Sequence, residues 1–233
     1  MKKSTLYSLL TLLVLIPATL FLGTQLRGRW HYLTSTLVIL EAMAPFFLAF
    51  ESRRPQAREL VIIAVMAALA VAGRVAIPVP NFKAITGIVM IAGMAFGPQA
   101  GFMTGAISAF ASNFFYSQGP WTPWQMLAYG MGGLLAGIFF GRQSHLQNTW
   151  KHTIIRTVFA VLAVMVVVGP LLDACTIFTT GAKISWKFAL AVFAAGAPHN
   201  VIHGLSCGAT VFLLERPLLT KLNRLKTKYG MMG

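Results

Sequence analysis

Aromatic rings and neutral hydrogen-bonding groups are concentrated in one uncharged stretch, residues 113–126, which joins two apolar runs. The aromatic rings suit either a membrane interface or a stacking ligand, and the side-chain amides supply donors and acceptors. These side chains are Asn113, Tyr116, Gln118, Trp121, Trp124 and Gln125. Composition alone leaves two interpretations open, an aromatic belt at the lipid interface or the rim of a binding site.

A second set of polar residues lies within later apolar runs. Asp173 is the only acid deep in its run, and an ionisable group at membrane depth is costly enough to indicate a functional site. The alternative is an acid near the outer end of its helix that pairs with Lys183 or caps a kink. His199 and His203 are four residues apart and share a helical face, with Asn200 beside them. This pattern predicts side chains that face a polar cavity, or interhelical hydrogen bonds.

Two further positions could contribute to the same site. Asn81, Phe82 and Lys83 follow a stiff Pro-Val-Pro segment and either cover a ligand or cap the next helix. Tyr129 follows the aromatic stretch by one helical turn, and we expect Tyr129 and Asn113 to lie deeper than Trp121, Trp124 and Gln125.

Several kinds of chemistry are excluded by what the sequence lacks. Two histidines at this spacing are half of a zinc-protease pattern, but no glutamate follows His199 and no third ligand is evident. The sequence has no phosphate-binding loop, nucleophile elbow or paired carboxylates. We therefore expect no catalytic site, no metal site and no resident cofactor.

The composition is that of an integral membrane protein. Hydrophobic residues make up 57% of the 233 residues and charged residues 10%, against about 25% in soluble domains. The net charge of +14 lies in short clusters between apolar runs, which is typical of membrane loops and argues against nucleic-acid binding. Cys175 and Cys207 lie inside apolar runs, which favours two free, buried thiols over a disulfide.

A membrane-spanning helix needs about 20 apolar residues, and this rule predicts an all-α protein with eight helical segments. The predicted helices lie near 5–23, 31–50, 59–77, 84–96, 99–116, 122–141, 153–178 and 187–214. Segment 84–96 is short and ends before Gly97-Pro98, so we predict a helical hairpin with the next segment, a re-entrant element being the alternative. The predicted units are an N-terminal helix pair (1–50), a six-helix core (51–215) and a basic cytoplasmic tail (216–233).

The Lys and Arg residues predict the orientation. With a cytoplasmic N-terminus, thirteen of the 19 basic residues lie inside and six outside, in agreement with the positive-inside bias. The six outside are Arg27, Arg29, Arg74, Lys83, Lys183 and Lys187. Both termini are then cytoplasmic, and the 119–125 turn faces outward, where an imported solute arrives.

The helix predicted at 59–77 carries alanines at every fourth position. Ala64, Ala68 and Ala72 share one face, and small residues at this spacing let helices approach closely in lipid. The pattern predicts either packing within this chain or a docking face for another membrane subunit.

Residues 59–215 resemble the substrate-binding membrane subunit (S component) of energy-coupling factor (ECF) vitamin transporters. The alanine face is similar to the motif by which S components dock on their transmembrane coupling subunit. The segments Phe96–Gly101 and Ser108–Met126 resemble the signature of one branch of the family, most similar to the cobalamin (vitamin B12) S components. The N-terminal helix pair departs from the usual six helices.

The resemblance implies a multi-pass subunit of the cell membrane that works with the coupling subunit and two ATPase subunits, which hydrolyse the ATP. Such a subunit binds its vitamin outside and topples in the membrane to release it inside. Cobalamin is the substrate that the signature resemblance implies, and riboflavin or a queuosine precursor would suit the same side chains. Hydrogen bonds to the amides of a corrinoid, or contact of His199 or His203 with its cobalt, are both open. A stand-alone secondary transporter and a membrane-embedded enzyme using Asp173 and the histidines are the competing hypotheses.

Overall fold

The computed structural model describes residues 14–16, 18–19, 21, 30–52, 55–77, 79–141, 149–180 and 185–229. Every regular element in these ranges is helical. The helices are α1 (Trp30–Glu51), α2 (Ala57–Val75), α3 (Ile85–Phe96), α4 (Pro98–Tyr116), α5 (Thr122–Phe140), α6 (Trp150–Ala163), α7 (Gly169–Thr179) and α8 (Trp186–Tyr229). A π-helical turn, Val164–Val168, joins α6 to α7 without a break.

Three helical runs of the described chain are long and apolar enough to cross a membrane: Leu33–Glu51, Trp150–Thr179 and Trp186–Lys228. The predicted all-α membrane fold is thereby confirmed. The predicted first helix, 5–23, lies largely outside the described residues, so the count of eight segments stays a prediction.

Helix α3 lies at the centre of the bundle. All 12 of its residues are buried, and at about 1.5 Å per residue it is too short to cross a hydrocarbon core of about 30 Å. It ends at Gly97, whose φ of 89° favours glycine, and Pro98 starts α4 immediately afterwards. The predicted break at Gly97-Pro98 is confirmed, and α3 and α4 pack against each other.

Glycines allow α3, α4 and α5 to approach closely. A Cβ atom added to Gly93 would lie 2.1 Å from the carbonyl oxygen of Gly133, and one added to Gly133 would lie 2.3 Å from that of Gly101. Side chains are therefore excluded at these contacts, as is common where helices pack in lipid.

Helix α1 packs directly on the core. Phe46 stacks on Phe102 of α4 with ring centroids 4.3 Å apart, and Ile39 and Met43 are buried against α4, α5 and α7. The described helix of the N-terminal pair is therefore part of the same bundle as the predicted six-helix core.

The predicted boundary at residue 215 falls inside α8. The helix continues to Tyr229, and Leu219 and Leu222 are buried against the core cluster. Glu215 forms a buried ion pair with Arg156 of α6. The described part of the predicted tail therefore continues α8, because buried apolar and ionic contacts hold it to the bundle.

Candidate ligand-binding site

A cavity of about 380 Å³ lies at the end of the bundle where α2 and α4 end and α5 begins. We call it the Arg74 cavity. Its lining combines cations, aromatic rings and amides with a few small or apolar side chains: Arg74, Asn81, Lys83, Tyr116, Trp121, Gln125, Tyr129, Leu172, Cys175, Thr176 and His203. The volume lies near the lower end of the range of about 300–1,000 Å³ typical of small-molecule sites.

Arg74, in the last turn of α2, is held against α4. Its Nη1 donates hydrogen bonds to Ser112 Oγ and to Asn113 Oδ1, the latter at 3.0 Å. Its guanidinium carbon lies 4.9 Å from the ring centroid of Tyr116 and 5.8 Å from that of Tyr129. The neutral oxygens and the ring faces position the guanidinium, and none of them neutralises its charge.

Lys83 lies on the loop between α2 and α3. Its ammonium group donates to the carbonyl oxygen of Ile77 and lies 5.7 Å from the ring centroid of Tyr116. Ser206 of α8 donates to the backbone oxygen of Lys83 at 2.7 Å, which fixes the loop against α8. Asn81, at φ 58°, occupies the left-handed conformation that lets the loop turn over the cavity.

The inner wall of the cavity is formed by α5, α7 and α8, and α3 lies behind it. His203 shares a hydrogen bond of 2.8 Å with Thr86 Oγ1, and its ring meets that of Tyr129 edge-on at 6.0 Å. Gln125 Oε1 is buried and has no hydrogen-bond partner in the described part of the chain. That oxygen therefore lacks a donor that the described residues could supply.

The turn between α4 and α5 is built by side-chain hydrogen bonds. Gln118 donates to the Phe110 carbonyl at 2.9 Å and accepts from Thr122 at 2.9 Å, while Asn113 donates to the same threonine oxygen at 2.9 Å. Trp121 is 40% exposed and forms the rim, whereas Asn113 and Tyr129 are buried. Gln118 and Asn113 therefore shape the site from behind its lining.

Besides Asn113 and Gln118, two more predicted site residues near the cavity, Trp124 and Phe82, do not line it. Trp124 is turned towards α1 and α7, where it donates to Ser35 Oγ at 2.9 Å and stacks on Phe178 at 5.6 Å. Phe82 is half-buried beside the lining residues of its loop. Trp124 instead joins α1 to the core, because the face of α5 that carries it packs against α1.

Asp173, Asn200 and His199 also lie outside the lining. Asn200 Nδ2 donates to Asp173 Oδ2 at 2.7 Å, a bond between α7 and α8 that glycines at 169 and 196 leave room for. Asp173 thus has an amide partner; Lys183, its predicted partner, lies outside the described residues.

The two histidines have different surroundings, because α3 begins at Ile85 and therefore lies beside His203 but not beside His199. His203 faces Thr86, in the first turn of α3, whereas His199 lies one turn earlier on α8, is exposed and contacts the carbonyl of Ala195 in its own helix. Of the predicted set His199, Asn200 and His203, the structure brings only His203 to the cavity.

Arg74 is the site residue that the sequence reasoning missed. The pattern assigned it to the outer loop charges, although a lone arginine at the end of an apolar helix, one turn before a Pro-Val-Pro segment, was the available signal. Leu172, Cys175 and Thr176 of α7 were also missed, because apolar and small residues in a helix carry no distinguishing pattern.

A larger groove of about 1,000 Å³ runs along the basic end of α8 and is lined by Lys221, Asn223, Arg224, Leu225, Thr227 and Lys228. All of these residues belong to one helix, and none has an aromatic ring. The Arg74 cavity, with walls from six elements and convergent polar groups, fits a small-molecule site better.

The fold and this cavity define a helical membrane bundle with a candidate small-molecule site at one end. The model of the family described as "ECF-type riboflavin transporter, S component" matches residues 55–224, most of the chain, and the chain belongs to that family. It is therefore the substrate-binding subunit of an ECF-type transporter and not an enzyme. No curated protein and no solved structure gave a significant match.

Proposed function

We propose that this chain captures a vitamin from outside the cell in the Arg74 cavity and delivers it through an ATP-driven ECF coupling module. The carrying observation is the convergence of two cations, three aromatic rings and two side-chain amides on one cavity at the end of the bundle. The family match supports the transport role, and the charge distribution of the loops supports an outward-facing cavity with both termini cytoplasmic.

Cobalamin is the proposed vitamin. Its support is the signature resemblance of residues 96–126 and the position of that segment in the structure. Tyr116, Trp121 and Gln125 of the segment line the cavity, and Asn113 and Gln118 support it from behind. Because Asn81 and Trp121 are exposed at the mouth, a corrinoid larger than the cavity would extend past this rim while its edge occupies the interior.

Riboflavin is the second candidate, favoured by a different observation. The matching family model is named for riboflavin, and a cavity of about 380 Å³ suits a ligand smaller than a corrinoid. The aromatic rings of Tyr116, Trp121 and Tyr129 would pack against an isoalloxazine ring as readily as against a corrin edge.

The partners proposed are a transmembrane coupling subunit and two ATPase subunits. Ala64, Ala68 and Ala72 are all exposed on α2, while Ile63, Met66, Ala67 and Ala70 of the same helix are buried in the core. The alanine face is therefore available to a second membrane helix and is not used for packing within the described chain.

Equilibrium binding of cobalamin and of riboflavin to the purified chain in nanodiscs tests the function directly. We expect saturable binding of one vitamin, lost in Trp121→Ala and retained in Trp186→Ala, because Trp186 is exposed at the start of α8, away from the lining. Uptake into vesicles should then require internal ATP and the co-expressed coupling module. Uptake that survives deletion of the module would instead indicate a stand-alone transporter.

A further inference from the structure

The Arg74 cavity is positively charged and has no acid to balance it. Arg74 and Lys83 both line it, and no aspartate or glutamate is among its described lining residues. The whole chain has five acidic side chains, and all of them lie in the described ranges. Their positions therefore decide whether the two cations have a carboxylate partner.

Each of the five acids lies elsewhere. Asp173 accepts a hydrogen bond from Asn200, and Glu215 pairs with Arg156 near the other end of the bundle. The remaining three lie on α1 or in the first turn of α2, at the opposite end of that helix from Arg74: Glu41, Glu51 and Glu59. The cations of the cavity are thus uncompensated by any acidic side chain of the protein.

The guanidinium of Arg74 also keeps donors available. Both of its hydrogen bonds leave from Nη1 and end on neutral oxygens of Ser112 and Asn113. The protons on Nη2 and Nε have no protein partner in the described part of the chain. A positioned guanidinium with free donors, beside a second cation and with no acid among the described lining residues, attracts an anion strongly.

We infer that the ligand of this site carries a phosphate group, which binds to Arg74 in the field of Lys83. This inference rests on the proposed function, because it names the chemical class of the vitamin captured in that cavity. A phosphate monoester carries a charge of about −1.5 to −2 at neutral pH, which matches two cations. The guanidinium fork matches the oxygen geometry of phosphate monoesters and diesters alike. A vitamin in phosphorylated form, or one with a built-in phosphodiester such as cobalamin, fits this requirement, whereas free riboflavin does not.

Matched ligand pairs test the inference. Cobalamin is compared with cobinamide, which lacks the phosphodiester together with its ribose and base, and riboflavin 5′-phosphate is compared with riboflavin, which lacks the phosphate alone. Both comparisons use titration calorimetry on the full chain in nanodiscs. In whichever pair binds, we expect the phosphate-bearing member to bind at least about tenfold more tightly, as expected for hydrogen bonds to a charged group.

Two variants assign that preference to Arg74. Arg74→Gln removes the cation, and Asn113→Asp leaves it in place but supplies a carboxylate within reach, so both should abolish the preference. Lys221→Gln, which removes one exposed positive charge on α8, should leave the preference unchanged.

The outcomes separate this inference from the proposed function. Equal affinities within a pair, or a preference that persists in both Arg74→Gln and Asn113→Asp, would overturn the inference while vitamin binding stands. If none of the four compounds binds, the proposed function is wrong, and the titration is repeated with inorganic phosphate alone. Saturable phosphate binding that Arg74→Gln removes and Lys221→Gln retains would then uphold the inference, and its absence would overturn it.

Discussion

Arg74 and Asn113 lie 39 residues apart in the chain and meet in a hydrogen bond of 3.0 Å behind the wall of the cavity. Asn113 is 1% exposed and donates in turn to Thr122 at 2.9 Å. One amide therefore connects the end of α2, the last turns of α4 and the start of α5. The position of the guanidinium depends on this connection.

Asn113→Ala tests that dependence. We expect ligand affinity to fall about tenfold and the free energy of unfolding to fall by about 1–3 kcal/mol, because Thr122 and Arg74 lose a buried partner. Calorimetry and detergent-based unfolding measure the two effects. Gln56→Ala is the control, because Gln56 is exposed before α2 and makes no capping bond. Unchanged affinity in Asn113→Ala would show that the guanidinium is held without it.

The two tryptophans at the start of α5, Trp121 and Trp124, should have opposite effects on ligand binding and on stability when they are substituted. Trp124→Phe removes the donor to Ser35 and keeps most of the ring, so we expect a loss of about 1 kcal/mol in stability with ligand affinity unchanged. Trp121→Ala should remove ligand binding with little effect on stability, because the ring is 40% exposed at the rim. Thermal unfolding and binding measured on both variants decide the assignment, and a shared phenotype would contradict it.

The alanine face of α2 should control complex formation. Ala64→Phe and Ala68→Phe add bulk where a partner helix must approach, so we expect co-purification of the coupling subunit to be lost while vitamin binding is retained. Leu69→Phe adds bulk at a side chain that is 39% exposed and lies about 100° from Ala68 and about 140° from Ala64 around the same helix, and it serves as the control. Co-purification that survives both alanine variants would show that the docking face lies elsewhere.

Removing one partner of the buried ion pair between Arg156 and Glu215 should destabilise the fold strongly. Replacing both partners with apolar side chains should destabilise it much less. Their side chains are 2% and 0% exposed, so Glu215→Gln leaves a buried cation unpaired and should cost about 3–5 kcal/mol. The double variant Arg156→Met with Glu215→Leu should recover most of that stability. Glu51→Gln, at an exposed acid, is the control for charge loss. Unfolding of the four proteins in one detergent system gives the comparison.

Two adjacent glycines of α5, Gly132 and Gly133, should differ sharply in whether the fold tolerates an added methyl group. A Cβ at Gly133 would lie 2.3 Å from the backbone oxygen of Gly101, which cannot move without separating α4 from α5. A Cβ at Gly132 would lie 3.3 Å from a methyl group of Val168, a contact that small shifts can relieve. We expect Gly133→Ala to prevent recovery of folded protein and Gly132→Ala to be recovered normally, as measured by size-exclusion yield. Equal yields would contradict the close approach of these helices.

The membrane class and the helix positions were predictable from sequence, because the signals involved are local. The apolar run 31–50 corresponds to Trp30–Glu51, and 122–141 to Thr122–Phe140. Gly97-Pro98 ends one helix and starts another because each residue restricts its own backbone. Of the predicted site, Asn81, Lys83, Tyr116, Trp121, Gln125, Tyr129 and His203 line the cavity.

Only the tertiary structure decided which polar residues share the cavity. Sequence spacing places His199 and His203 on one helical face. Only the part of that face at His203 packs against α3, because α3 begins at Ile85. Trp121 and Trp124 have similar local sequence, yet α1 packs against one and leaves the other at the rim. The sequence does not distinguish Arg74 from the other loop charges. Its role in the cavity follows from the packing of α4, which places Asn113 within hydrogen-bonding distance of it. The residue pattern of one segment predicts that segment's secondary structure and its apolar face. A binding site depends on contacts between different segments, and the pattern of a single segment does not determine those contacts.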